Sequence, residues 1–506
     1  MRKLYLFGIV LLSMIISSCD LDINRDPNYP TEVNADKFFS SGLMWTSTVI
    51  GGDLELLGGM WAQHYAQNAN SNQYTNIDSY NLPNSNSYIT RSWGALYSGA
   101  LPDFQLAMNK AEVSGDWHYW MASKIMSAYS FHLLVDAYGN IPFTEALDFY
   151  KYVNPKFDDA KTVNAGIIAM LDLALTKKAK ADSVAEISPM GNTDFVFKGD
   201  LDMWVKFAKS LKLKILMRDP AFATNRTAIQ ALLTENDLLN IDCKITVFEN
   251  KENNSNPLFE SDRRKLNTTQ NLRASSTLSR FLFKNSDPRA SVFMEKAETP
   301  SALYGNYVGL PQGGYTLGAT FQKTTSRAVL TAKDPAYFMS FAEVEFLKAE
   351  ASVLLNNIPA AKTSYDIAVT AAFDRWKGAK DAAEIEFIFP ANYNVNDFIG
   401  AGKPYEFNQT STTTMLESIW RQKWIAAARC QAWEAFLDVN RTGYPKMVLG
   451  TSQDATYVVG NFAPSINSVL GGIEMPRRLI YPKTSSDYNT NTPIVVPINT
   501  KLWWHK

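Results

Sequence analysis

Residues 60–97 read MWAQHYAQNANSNQYTNIDSYNLPNSNSYITRSWGALY, with seven asparagines from Asn68 to Asn86. Tyr65, Tyr74, Tyr80, Tyr88, Trp93 and Tyr97 are interleaved with them. An amide side chain both donates and accepts hydrogen bonds. An aromatic ring offers a flat apolar face and, in Tyr and Trp, a polar tip. Together they suit a neutral polar ligand such as a sugar chain or a peptide backbone. Trp61, Tyr74 and Tyr80 are the rings expected to stack on such a ligand, with Asn72 or Asn76 bonding its polar edge. The competing reading is a turn-rich loop whose tyrosines plug the core, and it is expected to hold for most individual residues. A second stretch, LYGNYVGLPQGGYTLGATF at 303–321, has the same character and adds Tyr307 and Tyr315 as candidates. Its glycines would let backbone and ligand approach closely.

Catalytic patterns are absent from the sequence. There is no G-x-S-x-G and no H-E-x-x-H. GAGKPY at 400–405 resembles a phosphate loop fragment, but Pro404 stands where Ser or Thr is needed. His64, His118, His132 and His505 have no ligand spacing, and His132 reads as a core histidine in a helix. No cofactor is implied. Asp and Glu are plentiful enough to supply the paired carboxylates of a glycoside hydrolase, whose separation is a three-dimensional quantity.

One cysteine has a chemical reading. Arg2 and Lys3 precede an apolar run from Leu4 to Ile16, then Ser17, Ser18 and Cys19. This is the layout of a secretory signal, and the run is shorter than the roughly 20 residues a membrane-spanning helix needs. An apolar residue, two small residues and Cys form a bacterial lipobox. Residues 1–18 are thus expected to be a cleaved signal, with Cys19 acylated and left as the membrane tether. Several acyl chains hold a protein stably where one holds it marginally. Residues 19–40, punctuated by Pro27 and Pro30, read as the extended tether, and 41–506 as the folded domain. Formal charge is −1, from 49 basic and 50 acidic residues, which argues against a nucleic-acid partner. Cys243 and Cys430 read as buried free thiols.

The elements that must position these residues are helical. Trp117 to Tyr138 is a long helical stretch stopped by Gly139 and Pro142. Further helices are expected over 162–180, 204–218 and 225–236. Residues 336–376 read as a helical hairpin. Phe338, Phe341, Ala342, Phe346, Ala349 and Val353 keep helical spacing, NNI makes the turn, and Pro359 suits the first turn of the second helix. So short a turn forces the helices antiparallel, and the alanines let them approach closely, as in a tetratricopeptide-like pair. A last helix is expected over 415–437. Its Trp420, Trp424 and Trp433 read as core. Long stretches at about 60–100, 240–335, 380–412 and 445–500 read as ordered loops, because they carry aromatics that disordered chains lack.

Several segments in order resemble the SusD/RagB family of Bacteroidetes outer-membrane lipoproteins. They include LDINRDPNYPTEV after the cysteine, WGALYSGALPDFQLAMNKAE, SKIMSAYSFHLLVDAYGNIPFTEAL and WVKFAKSLKLKILMR. FMSFAEVEFLKAEA, IWRQKWIAA, AWEAFLDVNRTGYP and MPRRLIYP follow. The resemblance implies an all-α fold of about four divergent tetratricopeptide-like pairs, with loops covering one face. It implies a non-catalytic nutrient-binding lipoprotein on the outer membrane, taking an oligosaccharide or oligopeptide. It also implies a SusC-type TonB-dependent β-barrel partner on which the lipoprotein sits as a lid. The alternatives are an all-α glycoside hydrolase and a helical-repeat scaffold that binds only protein.

Overall fold

Among the described residues, the first helix starts where the tether sequence turns amphipathic. In the computed structural model, residues 33–506 are described except 70, 266–270, 319–323, 378–388 and 391. The signal segment, Cys19 and the tether up to residue 32 lie outside the described residues. Asn34, in extended conformation, precedes α1 (Ala35–Thr48), so residues 35–40 belong to a helix rather than to the tether. A π-helical turn at Val49–Asp53, containing Gly51 and Gly52, leads directly into α2 (Leu54–Trp61).

Local signals account for most of the remaining helix ends. The Asn86 side chain accepts from Tyr88 N and starts α3 (Ser87–Gly94), which passes through a π-helical turn into α4 (Leu101–Ser114). Residues 87–114 are therefore nearly continuous helix, where a loop reaching to about residue 100 is expected from the sequence. α5 (Trp117–Tyr138) has the expected bounds. The Asp159 side chain caps α6 (Ala160–Leu175), and a break at Thr176 and Lys177 precedes α7 (Lys178–Ala185), splitting the helix expected over 162–180. The Asp200 side chain accepts from Asp202 N and Met203 N at the start of α8 (Leu201–Arg218), and α9 (Phe222–Glu235) ends on a left-handed Asn236. A Ser275 cap starts α10 (Ser276–Lys284).

The hairpin read from residues 336–376 is present, with one correction. Ser340 caps α11 (Phe341–Leu354), and α12 (Ile358–Asp374) carries Pro359 in its first turn. Residues Ala336–Met339, however, form a strand. Of the short strands β1 (Tyr65–Gln67), β2 (Cys243–Ile245), β3 (Leu272–Ala274) and β4 (Ala336–Met339), β1 pairs antiparallel with β3 and β2 with β4. A short apolar run does not distinguish strand from helix by period alone, and here a distant partner strand settles Phe338.

The helix expected over 415–437 is likewise two. A reciprocal Ser411–Thr414 cap opens α13 (Thr412–Ala426), and α14 (Ala432–Thr442) follows after a break, ending at Gly443. Arg429 lies in that break at φ +54°. Its guanidinium donates to Asp334 at 2.6 and 3.0 Å and to Val292 O at 2.6 Å. Half-buried Asp334 and buried Val292 lie outside the helix, and these acceptors hold the backbone off the helical path.

Consecutive helices pack as hairpins: α4 on α5, α5 on α6, α8 on α9, and α11 on α12. One cluster of buried side chains runs from Ala35 to Trp504. Trp424 and Trp433 belong to it, and Trp420 packs partly buried against it. Cys243 and Cys430 are free and buried. Buried His132 stands 3.2 Å from Asp136. A chain of buried ion pairs ties the hairpins together. Lys214 lies between Glu343 at 2.8 Å and Glu434 at 3.2 Å, Arg218 reaches Glu434 at 2.7 Å, and Lys423 reaches Asp438 at 2.6 Å. Burial opposes the Glu434 charge, but Lys214 and Arg218 hold its carboxyl below the ordinary range.

Candidate functional site

An aromatic cleft of about 960 Å³ lies between the α1–α2 junction, α3 and the 247–265 segment. This volume lies within the roughly 300–1,000 Å³ of small-ligand pockets. Trp45 contributes from α1 and is 45% exposed, unusual for so large a ring. Gly99 makes its position available: a Cβ there would stand 2.6 Å from the indole Cδ2. Tyr88, half-buried, faces the cleft from α3, and the Tyr74 ring meets it edge-on at 6.1 Å. Phe248 and Val247 add apolar surface, and Asn253 and Asn254 supply amides.

Besides Glu249, Glu260 and Lys265, the cleft holds a two-point ion pair. Arg91 Nη2 donates to Asp53 Oδ1 at 2.6 Å, and its Nε donates to Oδ2 at 3.1 Å. The guanidinium lies 4.8 Å over the Tyr88 ring. Burial pushes the Asp53 carboxyl above its ordinary value and Arg91 opposes the rise. Burial also pushes the Tyr88 phenol up to about 12, so it stays a neutral donor. Flat rings beside paired donors and acceptors fit a pyranose: its C–H face stacks on a ring while its hydroxyls reach guanidinium, carboxylate and amide.

The candidates read from the sequence do not converge on one place. Tyr74 lines the cleft, but its hydroxyl is committed, donating to Asp262 Oδ1 at 2.7 Å. Trp61 is core: it lies 5.0 Å from Phe436 and 6.3 Å from Trp433, and its Nε1 donates to Ile77 O at 3.1 Å. Tyr80 is also core, 2% exposed, with its hydroxyl against the Ser465 backbone. Neither ring leaves a face for a ligand. Trp61 is the last residue of α2, and Tyr80 sits in a turn at φ +63°. Asn76 is exposed and outside the cleft lining. Tyr307 borders a separate pocket of about 230 Å³ with Phe283 and Asn306.

The two loops singled out from the sequence nevertheless meet. Asp78 accepts from Gln67 N at 3.1 Å and from Gly313 N at 2.9 Å, joining the Asn-rich loop to the Tyr315 loop. Asn467 Nδ2 donates to Gly313 O at 2.6 Å, and half-buried Tyr315 bonds Ser79. Trp45, Arg91, Asn253 and Asn254 were not foreseen. KENNSNP at 251–257 is at least as asparagine-rich as residues 60–97, and that composition is the signal for it in the sequence.

A helical-hairpin scaffold with loops gathered around an aromatic cleft defines a class of binding proteins. Within it, the chain belongs to the SusD-like family, described as "Starch-binding associating with outer membrane", which matches residues 52–482. A SusD homologue from Bacteroides uniformis superimposes with TM-score 0.73 at 23% identity, covering 94% of this chain and 100% of that one. A SusD/RagB family protein from Bacteroides thetaiotaomicron gives TM-score 0.70 at 19% identity, covering 94% and 99%. A chitin-binding SusD homologue from Flavobacterium johnsoniae gives 0.71 at 20% identity, covering 93% and 98%. These likenesses carry the all-α fold. No curated protein matches the sequence. No helix among the described residues is long and apolar enough to cross a membrane.

Proposed function

We propose that this chain is a non-catalytic surface lipoprotein that captures an oligosaccharide in the Trp45–Tyr88–Arg91 cleft. It would hold to the outer membrane through acylated Cys19 and serve as the lid of a SusC-type TonB-dependent β-barrel. Family membership across residues 52–482 is the observation that carries the reading. The family description names starch, and one structural relative is called chitin-binding. Both polymers are built of neutral pyranoses, the chemistry for which flat rings and amides are suited. An oligopeptide would use the same amides through its backbone.

The test is titration of the mature protein with maltoheptaose and chitohexaose, read by calorimetry and tryptophan fluorescence. Saturable binding without release of shorter sugars is expected. Losing one aromatic contact of about 0.5–1.5 kcal/mol predicts that Tyr88→Ala weakens binding about twofold to tenfold. The melting temperature should change little. Product formation would favour the hydrolase alternative. Absence of binding by any oligosaccharide or oligopeptide would favour the protein-binding scaffold.

A further inference from the structure

A second hollow, of about 780 Å³, shares no lining residue with the cleft. It lies between α12, the 403–410 loop and one face of α13, with Tyr444 closing it. Thr414, Ser418 and Gln422 stand four residues apart on α13, so they form one stripe of hydroxyl, hydroxyl and amide. Neighbours in that stripe rise about 6 Å along the axis. Asn408 and Gln409 add amides from the loop opposite.

The floor is fixed. Tyr365 donates its hydroxyl to Tyr405 O at 2.7 Å, and Tyr405 donates its own to Asp287 Oδ2 at 2.6 Å. Arg421 lies 4.7 Å over the Tyr444 ring, with Nη1 donating to Gly460 O at 3.0 Å. Behind the floor, fully buried Arg289 pairs with Asp287 and reaches Gln422 Oε1 at 3.4 Å. Its Nη1 has no hydrogen-bond partner among the described residues. The two acids at the rim are engaged, Glu417 with Lys446 at 3.3 Å and Glu406 with Gly402 N at 2.8 Å. The lining thus presents the amides of Asn408, Gln409 and Gln422 beside the cations Lys403 and Arg421, while the hydroxyls of Thr414 and Ser418 donate to backbone carbonyls and each carboxylate holds one partner.

We propose that this hollow is a second saccharide subsite, taking a hydroxyl-rich sugar unit by hydrogen bonding to those amides and cations rather than by broad ring stacking. The proposal rests on the saccharide capture proposed above and adds a site to it. Two contacts separated on one protein would let a long chain be held at two points, which raises avidity without tightening either contact.

The experiment is calorimetric titration of maltoheptaose and chitohexaose into the mature chain carrying Cys19→Ser, with hydrogen exchange followed over residues 403–422. Two sites are expected, with exchange slowed over 403–422 at saturation. Tyr88→Ala should weaken the cleft and leave the second site. Ser418→Tyr, which fills the hollow from a half-buried helix position, should reduce the stoichiometry from two to one with the cleft affinity unchanged. Arg421→Gln should weaken the second site alone, and it carries the test if Ser418→Tyr lowers the melting temperature. A single site, lost with Tyr88→Ala and without protection over 403–422, would overturn the second subsite while leaving saccharide capture standing. No binding of either sugar at either place would overturn both.

Discussion

Tyr88 and Trp61 come from one asparagine-rich stretch, and the structure sets them to different tasks. Trp61 is sealed between Phe436 and Trp433, whereas Tyr88 borders the cleft. Trp61→Ala is expected to cost about 3–5 kcal/mol of stability, seen in chemical denaturation, with saccharide affinity unchanged in the folded fraction. Weakened affinity at unchanged stability would return Trp61 to the site. Asp78 gives a pH signature. Burial raises its carboxyl from 3.8 to about 7, against the donors Gln67 N and Gly313 N. The folded chain therefore keeps a proton that the unfolded chain releases, and stability falls as pH rises through that window. Asp78→Asn should flatten this part of the melting profile between pH 4 and 7. It should also lower stability overall, since the amide oxygen replaces only one of two carboxylate acceptors. An unchanged slope would assign the titration to another group.

At the scale of elements, one close approach is where α2 crosses the start of α14. A Cβ on Gly58 would stand 2.3 Å from Trp433 N, and one on Gly59 would stand 2.3 Å from the Tyr65 ring. Replacing a helical glycine by alanine ordinarily gains about 1 kcal/mol. Here the obstacle is backbone, which cannot rotate aside as a side chain can, and overpacking costs about 1–3 kcal/mol. Gly58→Ala is therefore predicted to destabilise, measured as a lower denaturation midpoint at an unchanged slope. A stabilised variant would mean that the two helices can separate cheaply.

At the scale of the molecule, the described residues form one continuous core and hold no helix suited to span a membrane. In the proposed function, membrane attachment is assigned to Cys19 and the barrel. Cys19→Ala should move the protein from the membrane fraction to the soluble fraction in cells lacking the barrel partner. Persistence in the membrane there would refute the lipid anchor. Mild-detergent capture of the wild-type chain should bring down a large β-barrel, and recovery of the monomer alone from cells expressing the barrel would count against the lid.

Local features of the chain were enough to place α5 to its terminal residues and to find the α11–α12 hairpin with Pro359 in its first turn. Period, glycine stops and proline act over a few residues, so they are legible without the fold. The all-α class was implied by the resemblance of the ordered segments to a known family. Tertiary partners decided the rest. β2 claimed Phe338 for a strand, and Asp334 and Val292 drew Arg429 out of a helix. Neighbours far along the chain buried Trp61 and Tyr80 and left Trp45 and Tyr88 at the cleft. A ring's composition and spacing state that it can stack; whether its face meets a core side chain or a ligand depends on contacts hundreds of residues away, which a one-dimensional pattern does not encode.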